Sequence, residues 1–527
     1  MSTPNDSGKR LTLAAFVFAE IAGAVVYVVN GRKVWFFGVF GDEWDFLAGR
    51  RLTLHDLLLR HGDHLVALPA LTFRLLYEVV GLRSYLPYQL VAIGLHLLAA
   101  ALLRIVMRRA GVNPWIATAA AALFVLFGSG SQDILIAFQI TFTGALVLGL
   151  GQLLLADHDG PLDRRDALGL LAGFGCLLCS DVAIPLIATV GIAALLRRRW
   201  RAAALHTLPL AVAYLAWSAH YGRAAHVSFR LGRVATSMRI SLSATFNALG
   251  RVPFFGWLVA AVLVAGLVVA WRDARAAADS GGFRRLSPSI ALAIGAILFA
   301  ATLALTRFGL GSQFAASSRY LHVLAALLLP LIAAAADALA RHRRVILVAV
   351  VALFLVGIPG NIAQIGKNIA PAIRYTQQRR VITTLPRLRL ARSVPRSLHP
   401  TPSFAGEVTV GWLLDGVRSG RIPRSGLPTA VELSTDKLRL SLDQRDSPRR
   451  SGCVLLRAQL ERRLQPGESI GLRGTIAVQS IAADGSRSQP LPYGTSLLST
   501  STTHTLRDAA GPLTLHISPR SLGAALC

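Results

Sequence analysis

Residues 11–30 read LTLAAFVFAEIAGAVVYVVN, twenty positions with one charged side chain, Glu20. A hydrocarbon core of roughly 30 Å needs about 20 apolar helical residues to cross it, so this stretch reads as a transmembrane helix. It is too long for the core of a cleaved signal peptide and lacks a small-residue cleavage site, so it reads as a retained anchor. Lys9 and Arg10 before it hold the N-terminus inside. Similar runs follow at 85–107, 115–128, 134–156, 167–179, 182–196, 202–219, 252–271, 286–306, 320–339 and 345–359, about eleven spans in all. The run 65–80 is broken by Pro69 and Arg74 and reads as interfacial or re-entrant. Residues 220–251 read as a long polar outer loop carrying Arg223, Arg230, Arg233, Arg239 and Arg251.

Composition agrees. Charged residues make up 16% of the 527 positions, against about 25% in soluble chains, and mean hydropathy is +0.53. The net charge of +28 comes largely from arginines that punctuate the apolar runs. With the N-terminus inside, Arg108-Arg109, Arg164-Arg165, the cluster at 197–201, the loop 272–285 and the cluster at 341–344 all fall on the cytoplasmic side, as the positive-inside rule requires. No basic, aromatic-interleaved motif is present, which excludes nucleic-acid binding as the source of the charge.

Beyond residue 360 the composition turns polar. Residues 372–390 read as a basic amphipathic helix leaving the membrane, and 406–420 as a short helix carrying Trp412, Leu413 and Leu414. From 430 onward β-type alternation dominates, clearest at 513–518, where Leu513, Leu515 and Ile517 share one face; 454–457 is one further apolar run. The chain thus divides into a polytopic module (1–360), a helical linker (361–429) and a small β-rich extracytoplasmic domain (430–527). Outside the cytosol, Cys453 and Cys527 are placed to form a disulfide. Cys176 and Cys179 lie in an apolar run and read as buried small hydrophobes rather than a redox pair.

The polar residues with chemical potential gather on the expected outer face. Directly after the first span comes Gly41-Asp42-Glu43-Trp44-Asp45-Phe46, three carboxylates within four positions. Ionisable groups held against a bilayer are costly and so read as functional; the plain alternative is a solvated loop with a tryptophan anchor. His61, Asp63 and His64 follow, then Asp133, Gln139, Asp181, Arg307, Arg319 and Tyr320. Carboxylates opposite guanidinium groups suit a reaction that deprotonates a hydroxyl and expels a phosphate. The cytoplasmic loops are short and no P-loop or dinucleotide fingerprint occurs, so an activated donor has to be a lipid in the bilayer. His61, Asp63 and His64 read as hydrogen-bonding groups, with metal ligation the alternative. Arg319 reads as a phosphate contact or as an arginine snorkelling to headgroups, and His96 as a helix-packing group.

This pattern resembles the GT-C class of polytopic glycosyltransferases, and more closely a set of bacterial GT-C-like proteins. The resemblance rests on Asp42-Glu43-Trp44, on His61-Gly62-Asp63-His64 followed by Pro69, on Gln132-Asp133 leading to Phe138-Gln139, and on Ser318-Arg319-Tyr320. It covers most of residues 11–360. It implies an inverting transferase that moves a sugar from a polyprenyl phosphate to an extracytoplasmic cell-envelope glycan or lipid. Asp42 would be the general base, with Glu43 or Asp45 as alternatives, and Asp45, His61, Asp63, His64, Asp133, Gln139, Asp181, Arg307, Arg319 and Tyr320 would bind substrate. A divalent cation (Mg or Mn) is compatible but not required. The implied location is the bacterial plasma membrane, C-terminal domain outside. Relatives carry an arginine directly after the second histidine where this chain has Leu65, so another arginine must hold the phosphate. The alternatives are a transporter or flippase of a lipid-linked glycan, for which no inverted repeat is visible, and a non-catalytic membrane scaffold.

Overall fold

A computed structural model of the chain describes residues 4–36, 42–222, 231–276, 280–307, 312–341, 343–424, 426, 428–445, 452–465, 468–481, 487–494, 496–500 and 513–527. Gly41, Arg223, Arg230 and His342 lie outside the described residues. The chain is mainly helical with a small C-terminal β region. It divides into two compact units: residues 1–32, 53–69 and 86–369 form the first, and residues 33–52, 70–85 and 370–527 the second.

In the first unit, nine helices among the described residues are long and apolar enough to cross a membrane: Gly8–Gly31, Leu86–Arg109, Pro114–Leu135, Ala137–Ala156, Trp200–Tyr221, Phe255–Asp273, Arg284–Thr306, Ser318–Ala340 and Arg344–Ile362. The other two expected spans are the helices Arg164–Leu177 and Ala183–Leu196, each of 14 residues. At 1.5 Å per residue these reach ~21 Å, short of the ~30 Å core. Ser318–Ala340 is the central helix; almost its whole circumference is buried. Alanines at 325, 326, 333, 335 and 336 make this possible, because small side chains let neighbouring helices approach.

The stretch expected as a long outer loop is instead helical over Leu231–Gly250. Val234, Ser241, Thr245, Ala248 and Leu249 form its buried stripe, spaced by three, four and seven residues, while Arg233 and Arg239 face outward. Reading the arginines as loop markers hid that stripe. The segment 65–80 holds a helix, Ala67–Val79.

The second unit includes the helices Ala372–Thr384, Val410–Arg418 and Ala430–Ser441, most of Ala67–Val79, and two antiparallel sheets. The strands are β1 Leu442–Arg445, β2 Val454–Leu455, β3 Leu460–Leu464, β4 Ser469–Arg473, β5 Ile476–Ser480, β6 Leu491–Tyr493, β7 Ser496–Thr500, β8 Leu513–Pro519 and β9 Ala525–Leu526. Their orders are β1-β7-β4-β9-β2 and β3-β8-β5-β6. The alternation in β8 puts Leu515 and Ile517 in the core with Ile470, Leu472, Ile476 and Val478, and Leu513 packs at its margin. The apolar run at 454–457 yields only the two-residue strand β2, whose side chains are exposed.

Cys453 and Cys527 are joined by a disulfide across 74 positions, next to the β2–β9 pair Val454↔Leu526. Closing a loop of that size in the unfolded chain stabilises the fold by about 4 kcal/mol on chain-entropy grounds. Cys453→Ser, or mild reduction, is therefore expected to speed proteolysis of residues 430–527 while leaving the helical circular-dichroism signal of the membrane unit in place. An unchanged cleavage rate would show that the bond is idle.

Candidate functional site

The polar groups of the first unit are organised by a break in its helices. Residues 126–139 leave regular helix after Val125 and pass through the single turns Gly128–Gly130, Ser131–Leu135 and Ala137–Gln139, nearly all of them buried. Buried backbone away from water must find partners within the protein. Asn361 Oδ1 accepts from Ser129 N at 3.1 Å, and its Nδ2 donates to the carbonyls of Ala248 (2.9 Å) and Gly357 (3.0 Å). Ser318 Oγ donates to Ser129 O at 2.7 Å, and Gln89 Nε2 donates to Leu135 O at 2.7 Å. Gly128 is required here: a Cβ would lie 1.8 Å from Asn361 O.

This break places Asp133, which is fully buried. Its Oδ2 lies 3.3 Å from His322 Nδ1, and Arg319 is the charge that faces it. His322 Nε2 in turn lies 2.9 Å from His96 Nδ1, and His96 Nε2 lies 3.0 Å from Val125 O. Donor bookkeeping follows from the far end. A carbonyl only accepts, so His96 Nε2 carries hydrogen. His96 Nδ1 then accepts, and His322 Nε2 donates. His322 Nδ1 and both carboxylate oxygens of Asp133 are buried without a hydrogen-bond partner among the described residues, so the two groups face each other at 3.3 Å without bonding. His96, expected as a packing group, is the inner end of this chain. Arg319 stacks on Phe314 and Tyr320 with its guanidinium carbon 5.1 Å and 5.0 Å from the ring centroids, and Tyr320 is buried. Gln139 is also buried, and its Oε1 has no hydrogen-bond partner among the described residues.

A second network brings three expected residues together from distant segments. His61 and His64 pair backbone to backbone, with N–O distances of 2.9 Å both ways, around Gly62, whose φ of +57° suits glycine. His64 Nδ1 lies 3.0 Å from Asp181 Oδ2, while its Nε2 is held by Arg307. Arginine only donates, so Nε2 of His64 accepts and Nδ1 carries the hydrogen, 3.0 Å from Asp181 without a hydrogen bond to it. The hydroxyl of Tyr214 bonds to Asp181. The sequence offered no sign of Tyr214, which reads as one more apolar-span aromatic. It also lines a cleft of about 350 Å³ with Leu65, Leu177, Leu178, Trp217 and Tyr221. Leu65, the departure from the family pattern, is thus a wall of that cleft. His61 sits against Phe138 (5.4 Å between rings), and Asp63 reaches Arg60 only at 3.9 Å. Among the described residues His61, Asp63 and His64 do not form a group with metal-ligand spacing, which the metal alternative needs.

The acidic stretch belongs to the second unit. Asp42–Trp44 forms one helical turn and Asp45–Gly49 continues it as a π-turn. Glu43 and Trp44 are fully buried, contrary to a solvated loop. Tyr85 Oη donates to Glu43 Oε1 at 2.6 Å. Trp44 packs among Trp35, Phe36 and Trp412 at centroid distances of 5.9, 6.1 and 6.3 Å. Asp45 accepts from Nε and Nη2 of buried Arg50 at 3.0 and 2.8 Å. Asp42 remains partly accessible.

A third cluster lies at the opposite end of the first unit's helices, beyond Ala156 and Leu196, and was not expected. Asp166 meets His158 (2.9 Å), His206 (3.2 Å) and Arg199 (3.3 Å), and Asp157 meets Arg197 (2.6 Å). The hydrogen bond from Arg165 holds Asp163 down to about 2. Burial pushes Asp166 up, but its hydrogen bonds and Arg199 outweigh that and lower it. Among the described residues His158, Asp163 and Asp166 have metal-ligand spacing. Arg199, His206 and Arg165 already occupy their oxygens, so the cluster is neutralised from within. The signal was present as His158, Asp163 and Asp166 beside Arg197–Arg199, but reading those arginines as orientation markers concealed it.

The chain matches no family model, no curated protein and no solved structure.

Two outcomes are expected. Tyr85→Phe deprives buried Glu43 of its phenolic donor and should cost about 1–3 kcal/mol in denaturant unfolding of the second unit. Asn361→Ala strips the partner from Ser129 N and from the Ala248 and Gly357 carbonyls and should lower the melting temperature of the helical unit; an unchanged one would show that the break holds without it.

Proposed function

We propose that this chain is a GT-C-type membrane glycosyltransferase that moves a sugar from a polyprenyl phosphate to an extracytoplasmic cell-envelope acceptor. The observation that carries the reading is the series Arg307–His64–Asp181–Tyr214, whose Tyr214 also lines an apolar cleft. An isoprenoid tail suits the cleft, and a phosphate suits Arg307. Arg307 takes the place of the family arginine that Leu65 replaces. The acceptor oxygen attacks the anomeric carbon, the bond from that carbon to the phosphate oxygen breaks, and polyprenyl phosphate leaves. For the acceptor's proton the family resemblance names Asp42, whose carboxylate is partly accessible within the second unit. The Cys453–Cys527 bond favours an oxidising compartment for the β-rich part and hence the expected outward orientation.

A second reading, transport or flipping of a lipid-linked glycan, draws on the buried Asp133–His322–His96 chain, since intramembrane acid and imidazole series carry protons in transporters.

In a transfer assay with radiolabelled polyprenyl-phosphate sugar, Arg307→Gln should lower kcat/KM by about 10²–10³-fold, the usual loss of one donor to developing charge. Asp42→Asn should abolish transfer with the donor still bound. Full transfer by inserted Asp42→Asn removes Asp42 from the mechanism. Flux of unmodified lipid-linked glycan without transfer would favour the second reading.

A further inference from the structure

The second unit contains a cavity of about 410 Å³ unrelated to the acidic stretch. It lies among the helices Ala372–Thr384 and Ala430–Ser441 and the segments around Phe404 and Gln489. Its size falls in the roughly 300–1,000 Å³ range of small-ligand sites. Three arginines face it, and their charges are unevenly met. Arg380 pairs with Glu432 at 2.7 Å. Arg439 reaches Asp436 only at 3.8 Å, and its Nε, although buried, has no hydrogen-bond partner among the described residues. Arg374 is exposed and forms no ion pair among the described residues. The wall also carries three glutamine side chains, and the Oε1 of one of them, Gln378, is buried without a partner among the described residues. Buried donors and acceptors left unpaired cost free energy that a ligand's own groups can recover.

We propose that this cavity binds an acidic saccharide, with the sugar carboxylate held by Arg374 and Arg439 and the ring hydroxyls by Gln378 and the neighbouring amides. Arginine forks match a carboxylate, amides match vicinal hydroxyls, and Phe404 with Pro428 gives an apolar wall for the ring's C–H groups. The lining holds neither lysine nor glycine, so it lacks the backbone nest typical of phosphate sites. The inference does not rest on the transferase reading, because binding needs no turnover.

Asp436 adds a pH signature. Burial pushes its carboxyl up to about 7, opposed by Arg439 and Arg380 and reinforced by Glu432. As pH falls from 8 to 6 Asp436 loses its negative charge while a uronic carboxylate keeps its own, so affinity should rise over that window.

The test is direct binding to the full chain in detergent, with tetragalacturonate, a neutral gluco-tetrasaccharide and inorganic phosphate as probes. Tetragalacturonate should bind at least about tenfold more tightly than either control, and Arg374→Ala should weaken it by about tenfold. Arg374 is exposed, so its variant should keep the parental melting temperature. Asp436→Asn should flatten the pH dependence. Equal binding of the neutral sugar, tighter binding of phosphate, or no binding of tetragalacturonate would each overturn the proposal.

Discussion

The first unit depends on one requirement: a broken helix inside an apolar bundle must have its backbone satisfied by side chains. Residues 126–139 close only part of their backbone hydrogen bonds locally, and lipid offers nothing for the rest. Asn361, Ser318 and Gln89 meet the need from three different helices. Removing one of them leaves an orphaned group in a dry interior, not merely a lost contact. Because the break is fixed in this way, Asp133 enters the bundle next to His322 instead of facing outward. Gly128 and Gly130 follow from the same requirement, since a Cβ at either would collide with Asn361 or His322.

The second unit solves a different problem. Its acidic turn is short and could not order itself, so aromatic packing supplies the order. Trp44 is enclosed by Trp35, Phe36 and Trp412, and Trp412 stacks on Tyr77 at 5.3 Å. Burying several large rings provides several kcal/mol, enough to hold Glu43 out of water against its hydrogen bond to Tyr85. Within one turn the three carboxylates thus acquire three environments: Glu43 sealed in, Asp45 ion-paired to Arg50, and Asp42 left partly accessible.

The sequence made the apolar helices legible because length and hydropathy alone decide them. It made β8 legible because Leu513, Leu515 and Ile517 alternate. It also pointed to His64, Asp181 and Arg307 as polar groups near span ends, although nothing in a one-dimensional pattern says that they meet. Two of the misses share one cause. Reading arginine near an apolar run as a topological marker hides both the amphipathic helix Leu231–Gly250 and the His158–Asp166–Arg199–His206 cluster. Tyr214 and Asn361 were invisible for another reason: each is an ordinary residue of an apolar helix until its partners, 33 and 232 positions away in the cases of Asp181 and Ser129, arrive.

The second unit is assembled from two pieces between the first two spans and from residues beyond 369. Trp44 and Tyr77 therefore emerge from the ribosome more than 300 positions before Trp412, their stacking partner. Through the synthesis and insertion of most of the helical bundle, those rings have no finished core to enter. Biogenesis of this chain thus includes a long waiting interval in which sticky aromatic surface is uncovered.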